Sequence, residues 1–317
     1  MKDVKMRLIV AGSKILVCCL LVGLLMALAA CSGDEDPIRV DLSKRHTLVA
    51  PRQVEAITYA YLPQYSHTTS YERHSQLIEY LRQTTGLPLR QIFPDTFDEH
   101  IKMVARGEID ISYSNPSVYL QLADAGAAAF ARIVEPSGKP DFRGQIICRR
   151  DNTSIRKIED CKGKRWIAVD PGSAGGYLFP LGLFYDHGIS RGDFKAVDFA
   201  PGPGGKQEKV VLAVQVGAYD IGTIRKGTLD VVAGKITQGA IRVLAETRAY
   251  PGWVYASRKG LDPKVVSLIA EAMFALDYTN KAHHSILSNA GIRGIIPAKD
   301  ADYDPVRELA DKLGLRE

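Results

Sequence analysis

Twice along this chain a helical stretch stops at a glycine and soon gives way to the same kind of buried strand. Ile109-Asp-Ile-Ser-Tyr113 follows Gly107, and Tyr219-Asp-Ile-Gly-Thr223 follows Gly217. Around both, short apolar strands alternate with helical stretches. Strands at Ala56–Tyr61, Leu89–Phe93 and Ile109–Tyr113 are separated by helices over Tyr71–Thr85 and from Thr96 or Asp98 to Arg106. Such alternation predicts a mostly parallel sheet with right-handed crossovers, and the echo predicts two similar α/β halves instead of one continuous sheet. In such sheets ligands bind at the carboxyl ends of the strands, where helix N-termini converge.

The stretch placed to use that location is Ile167-Ala-Val-Asp-Pro-Gly-Ser-Ala-Gly-Gly-Tyr177, which reads as a strand, a glycine turn and the first turn of a helix. The first N–H groups of a helix have no intrahelical partner, and the macrodipole puts positive charge at that end, so the turn suits an anion. Gly172, Gly175 and Gly176 carry no Cβ to hold a tetrahedral oxyanion away, and Ser173 Oγ can add a hydrogen bond. The alternative is a plain β-turn with Ser173 as N-cap. Ser114-Asn-Pro-Ser-Val-Tyr119 follows the third strand and is expected to offer a second set of N–H groups, with Asn115 or Ser114 as cap and Ser117 in the first turn.

Further on, Phe142–Arg149 is extended and Ala196–Phe199 is a strand. Gln207–Val216 is a helix after the glycine-rich loop Pro201–Gly205. Arg248–Tyr255 returns extended, and closing helices are expected over Pro263–Thr279 and Tyr303–Leu313. Two crossings between the halves are expected near Asp141–Gln145 and Arg248–Tyr255. The lobes are therefore drawn as residues 46–143 with 250–317, and 144–249.

The amino end sets the compartment. Lys2, Lys5, Arg7 and Lys14 precede an apolar run from Ile15 to Ala30, and Ala29-Ala30-Cys31 follows the pattern of an exported leader. The run is short for a membrane span, the alternative being an ordinary transmembrane anchor. Leu28-Ala-Ala-Cys31 resembles the bacterial lipobox, which makes residues 1–30 a signal peptide, Cys31 a lipid site and residues 31–45 a tether. The membrane is then met through the lipid alone. Of five cysteines, Cys148 and Cys161 are left for the fold, either as a disulfide or as two thiols. Neither they nor His283-His284 have metal-ligand spacing, so no cofactor or metal is expected. The formal charge of +5 is scattered among acids, which excludes a nucleic-acid partner.

In order along the chain, Gly107-Glu-Ile-Asp-Ile-Ser-Tyr-Ser-Asn-Pro-Ser-Val-Tyr119, Ile158-Glu-Asp-Cys-Lys-Gly-Lys164, Asp170-Pro-Gly-Ser-Ala-Gly-Gly-Tyr177 and Ala213-Val-Gln-Val-Gly-Ala-Tyr-Asp220 resemble the phosphonate and phosphite binding proteins of ABC importers. The resemblance implies a type II periplasmic-binding-protein fold, in which two α/β lobes on a two-strand hinge hold an anion with helix N-termini. It places Ser173, Ala174, Gly175 and Tyr177 at the anion turn and Phe97 where the family often has an aromatic contact. It also sets Gln207 where the family's histidine contact stands. The family's acids for an ammonium group fall near Gly227 and Trp253, which argues against an aminophosphonate.

Gly222-Thr-Ile-Arg-Lys-Gly-Thr-Leu-Asp230 and Tyr250-Pro-Gly-Trp253 are similar to segments of the same fold in sensor kinases, including sensors of sulfur oxyanions. They suggest that Arg225 points into the cleft, where its planar fork suits an anion with several oxygens. No nucleophile has an adjacent base, so an enzyme is not expected. The expectation is a monomeric, lipid-anchored receptor that closes on a small oxyanion. Its partner is an ABC permease or, alternatively, a sensor kinase or redox protein.

Overall fold

The computed structural model describes residues 56–316. The leader, Cys31, the tether and Thr47–Ala50, which the sequence reads as a further short strand, lie outside the described residues. The chain enters at β1 (Ile57–Tyr61) and continues through α1 (His67–Thr85), β2 (Leu89–Ile92), α2 (Phe97–Ala105), β3 (Ile111–Ser114) and α3 (Pro116–Asp124). Local chemistry fixes these boundaries. Ser66 Oγ accepts from Thr69 N–H at 3.2 Å to start α1, and Gly86 ends it in the left-handed region at φ 69. Thr96 Oγ1 accepts from Glu99 N–H at 3.0 Å, and Asp98 and Glu99 set negative charge on the first turn of α2. β1 then lies between β2 and β3, parallel to both.

Next comes β4 (Ala128–Val134), a strand that sequence reasoning passes over, because its alanines are weak strand formers. The two-residue β5 (Asp141–Phe142) leads into β6 (Gly144–Arg149), β7 (Arg165–Ala168), a π-helical turn at Ala174–Leu178 and α4 (Phe179–Asp186). β8 (Ala196–Phe199), α5 (Lys206–Gln215), β9 (Ile221–Arg225), α6 (Thr228–Val231) and β10 (Ile241–Glu246) complete a second sheet of order β10-β6-β9-β7-β8. β7 is parallel to β8 and β9, while β6 and β10 are added antiparallel.

The chain returns through β11 (Tyr250–Pro251) and β12 (Val254–Ser257), then α7 (Pro263–Phe274), α8 (Lys281–Ala290), β13 (Gly294–Pro297) and α9 (Asp304–Lys312). The helix expected over Pro263–Thr279 therefore ends at Phe274. Asn280 caps a separate helix by accepting from Ala282 N–H at 2.9 Å. α8 and β13 are further elements without a clear sequence signal, for only Leu287 and Ala290 of α8 are buried. The first sheet has the order β13-β4-β12-β3-β1-β2. Its parallel strands come from the alternating stretch, and its antiparallel ones from the return.

Between the sheets, β5 and β11 pair antiparallel, Tyr250 opposite Phe142 and Pro251 opposite Asp141. Phe179 stacks on Tyr250 with centroids 4.0 Å apart and meets Phe142 at 5.2 Å, so an aromatic bearing packs beside the hinge. One apolar core serves the first sheet and two line the second. Cys148 and Cys161 are free thiols in one of the latter, and burial, then the neighbouring Cys148, pushes the Cys161 thiol up to about 12. Among the described residues no helix is long and apolar enough to cross a membrane.

Candidate ligand-binding cleft

The turn after β7 is built almost entirely by its own short side chains. Asp170 Oδ1 accepts from Gly172 N–H at 2.9 Å, and its other oxygen pairs with Lys206. Ser173 Oγ accepts from Gly176 N–H at 3.1 Å, so the serine does act as N-cap. Leu178 N–H reaches back to Ser173 O at 2.9 Å, which gives the turn its π geometry. Thr223 of β9 donates its hydroxyl to Gly176 O at 2.6 Å and takes Trp166 Nε1–H at 3.0 Å, fastening the turn to the sheet. The N–H groups of Ala174 and Gly175, in the first turn, remain beyond the reach of intrahelical bonding.

The three glycines divide by direction. A Cβ on Gly176 would come within 2.4 Å of Val169, and one on Gly175 within 2.8 Å of the Phe142 ring and 3.3 Å of Arg225 Cα. These two are glycine because the protein packs against them, not because they clear an approach for a ligand. Gly172 faces the other lobe, where its Cβ would touch Val118 at 3.4 Å and Phe97 at 3.5 Å.

That opposite wall is made by α2 and α3. Phe97 is buried, with the Lys206 ammonium 5.9 Å from its ring centre. Asn115 caps its own helix, its Oδ1 accepting from the N–H groups of Ser117 and Val118 at 2.9 and 3.2 Å. Its Nδ2 donates across the cleft to Gly172 O at 3.2 Å. The expected second set of anion-binding N–H groups is thus already held by the Asn115 carbonyl. A further bridge joins Gly204 N–H to Asp95 O at 3.3 Å.

Toward the hinge, Arg225 is 8% exposed and Glu135 of the opposite lobe 9%. Arg225 Nη2 donates to Glu135 Oε1 at 2.5 Å. The guanidinium lies 5.3 Å from the Phe142 ring and 5.6 Å from that of Trp253. Burial is the largest influence and works against its charge, but the Glu135 carboxylate together with Tyr65, Tyr113 and Tyr61 outweighs it, and the guanidinium is held above its ordinary range. Gln207 Oε1 accepts from both Arg225 N–H and the Thr228 hydroxyl at 3.1 Å, which orients the strand end below the arginine. Behind Trp253 stand Tyr61, Tyr113 and His74. Tyr59 OH lies 2.6 Å from His74 Nδ1, and burial, then Arg73, keeps that imidazole far below its usual range and so neutral.

The sequence-predicted residues therefore separate. Ser173, Ala174, Gly175, Phe97 and Asn115 meet at the turn, with Ser117 in the capped first turn of α3. Gln207, Arg225 and Trp253 meet at the hinge side. Tyr177 belongs to neither. It is buried against Trp166 and Phe199, with ring centroids 5.6 and 5.0 Å away, inside the second lobe. Sequence reasoning missed Glu135 and Lys206. The Pro136 and Gly138 breakers marked a turn after Glu135, but no local pattern says which way a lone acid in a turn will face.

Residues 59–303 match the model of a protein family described as "ABC transporter, phosphonate, periplasmic substrate-binding protein". The chain belongs to this family. The phosphonate-binding family consists of periplasmic receptors of ABC importers, not enzymes. Within it, the chain is similar to the phosphate-import protein PhnD of Mycolicibacterium smegmatis, at 25% identity over 304 residues covering 90% of this chain and 92% of that one. In three dimensions it is similar to a binding-protein component of an ABC phosphonate transporter from Pseudomonas aeruginosa, with TM-score 0.73 and 19% identity over 82% of this chain and 86% of the other. PhnD1 from Prochlorococcus marinus, solved in complex with methylphosphonate, also scores 0.73, at 15% identity over 82% of this chain and 99% of the other. Both share its two-lobed type II periplasmic-binding-protein fold.

Proposed function

We propose that this family member is a lipid-anchored, monomeric receptor that captures a small oxyanion of phosphonate, phosphite or phosphate type between its lobes and presents it to an ABC permease. The observation that carries the reading is that Arg225, whose Cα would lie 3.3 Å from a Cβ on Gly175 of the turn, and Trp253 keep buried donors, Nε and Nε1, without a partner among the described residues. Buried donors are ordinarily paired, and an anion that bridges the lobes is the partner such a set suits. Arg225 serves there as the cation, Phe97 and Trp253 as apolar walls, and Gln207 as a support for Arg225. The lobes are residues 46–143 with 250–317, and 144–249. The relatives agree in class, one being a phosphate importer and another a methylphosphonate complex.

A thermal-shift series with phosphate, phosphite, methylphosphonate, sulfate, thiosulfate and tetrathionate tests this. A ligand at about 100 times its Kd stabilises by about 2.7 kcal/mol, so a phosphorus oxyanion raises the melting temperature and an inert series refutes the reading. Anchoring is tested separately. Cys31→Ser is expected to release the protein from the membrane fraction or leave it unprocessed, and a mature protein that starts elsewhere refutes the lipid site.

A further inference from the structure

A buried carboxylate is an unexpected neighbour for an oxyanion, yet Glu135 is held where it must be one. It follows β4 in a closed turn, its N–H donating to Lys139 O and its carbonyl accepting from Gly138 N–H, both at 2.8 Å. Its side chain is therefore aimed by backbone bonds. It meets Arg225 through one contact, Nη2 to Oε1, which uses only part of the guanidinium fork. Arg225 Nε, beside that contact, is buried without a partner among the described residues, as is Trp253 Nε1. The backbone of the same arginine packs against Gly175 of the anion turn. Arg225 thus joins the turn, the open donor and the carboxylate in one connected group.

A ligand oxygen drawn to that open donor comes beside Glu135. A carboxylate only accepts hydrogen bonds, and so does every oxygen of a fully deprotonated tetrahedral anion. In a cleft closed to water two acceptors set against each other repel, whereas a P–OH donates to the carboxylate in a charge-assisted bond. We infer that Glu135 makes the cleft select oxyanions that keep a hydroxyl donor, such as hydrogen phosphate, hydrogen phosphite and singly protonated phosphonates. It rejects anions of the same shape that have none, namely sulfate and sulfonates. The inference rests on the receptor reading proposed above and deepens it. Arg225 attracts both kinds of anion, and Glu135 sorts them by their proton.

Titration calorimetry of the intact mature protein with methylphosphonate and methanesulfonate tests it, since the two match in shape and differ in the hydroxyl. The wild type is expected to prefer methylphosphonate by about tenfold or more, and Glu135→Gln, whose amide can donate to an acceptor oxygen, to narrow the gap to about threefold by tightening methanesulfonate. Glu135→Asp, which keeps the acceptor, retains the preference. Should the glutamine variant not melt cooperatively, Glu135→Ala removes the acceptor in its place. Equal binding of the two ligands by the wild type overturns the inference. So does a gap that persists in a folded Gln or Ala variant, and in both cases the receptor reading stands. A wild type that binds neither these two nor phosphate nor phosphite removes the receptor reading, and the role of Glu135 with it.

Discussion

Gly172 and Gly175 stand three positions apart in one turn and are glycine for opposite reasons. A side chain at Gly172 meets Phe97 and Val118 of the other lobe. Gly172→Val is therefore expected to hold the lobes apart and weaken ligand binding by about 1–3 kcal/mol, with little loss of melting temperature. Gly175→Val drives a methyl into Phe142 and the Arg225 backbone, so its first expected effect is a lower melting temperature, by about 1–3 kcal/mol of overpacking. Calorimetry and a thermal melt on both variants distinguish the two roles, and the reverse outcome refutes the assignment. Ser173 sits between them with its oxygen accepting from Gly176 N–H, which leaves its O–H to donate to an anion. Ser173→Ala should then cost about 1 kcal/mol of stability as a lost cap, and about 0.5–1.5 kcal/mol in affinity as one lost hydrogen bond.

Two buried histidines set the acid response of the first lobe. Burial pushes His100 down to about 3, and burial with Arg73 nearby depresses His74 as well. Both are neutral when folded, while the unfolded chain takes up their protons near the ordinary value of 6.5. Their contribution to stability is therefore complete above pH 6.5 and is lost as pH falls from there toward the folded values. Each adds a slope of up to about 1.4 kcal/mol per pH unit. His100→Gln should flatten the fall in melting temperature below pH 6.5, and an unchanged slope refutes the role.

At the scale of elements, what could be read in the sequence is what local chemistry fixes. β3 and β9 follow helices stopped by glycine and fall in separate sheets as the echo implied, each pairing parallel with one neighbour as the alternation predicts. α1 begins with Ser66 and stops at Gly86, where only the left-handed conformation continues the chain. The strands without a clear signal depend on partners far away. β4 mixes three alanines and an arginine into its seven residues and is held between β12 and β13, and α8 is polar enough to pass for a loop. In the cleft the same division holds. The anion turn, Phe97, Arg225 and Trp253 could be placed from motifs. Lys206 and Glu135 could not, because each is recognised only by a partner distant in the chain, Asp170 and Arg225 respectively. Tyr177 was placed at the ligand, but the π turn carries one residue more than an α turn and shifts the phase of the helix, so the ring enters the core beside Trp166.

For the molecule as a whole, the Arg225–Glu135 pair is a contact between lobes as well as a feature of the cleft. Arg225→Ala leaves a carboxylate buried without its partner and should destabilise by about 3–5 kcal/mol. Arg225→Ala with Glu135→Ala should recover part of that loss, and urea unfolding of the two singles and the double gives the coupling, expected at about 0.5–3 kcal/mol. Strict additivity would mean that the pair does nothing for closure. The strand order also governs when the protein can come into being. Among the described residues β4 pairs with β12 and β13, and both are made after the entire second sheet. The strands of the second sheet are contiguous in the chain and can condense as they emerge. β4 must meanwhile wait with both edges bare, and an unpaired strand edge invites pairing with other chains. A nascent chain stopped before Val254 would carry a complete second sheet and an orphaned β4. Trp253, which the receptor reading places in the cleft, is therefore made only just before β12 arrives to cover one bare edge of β4.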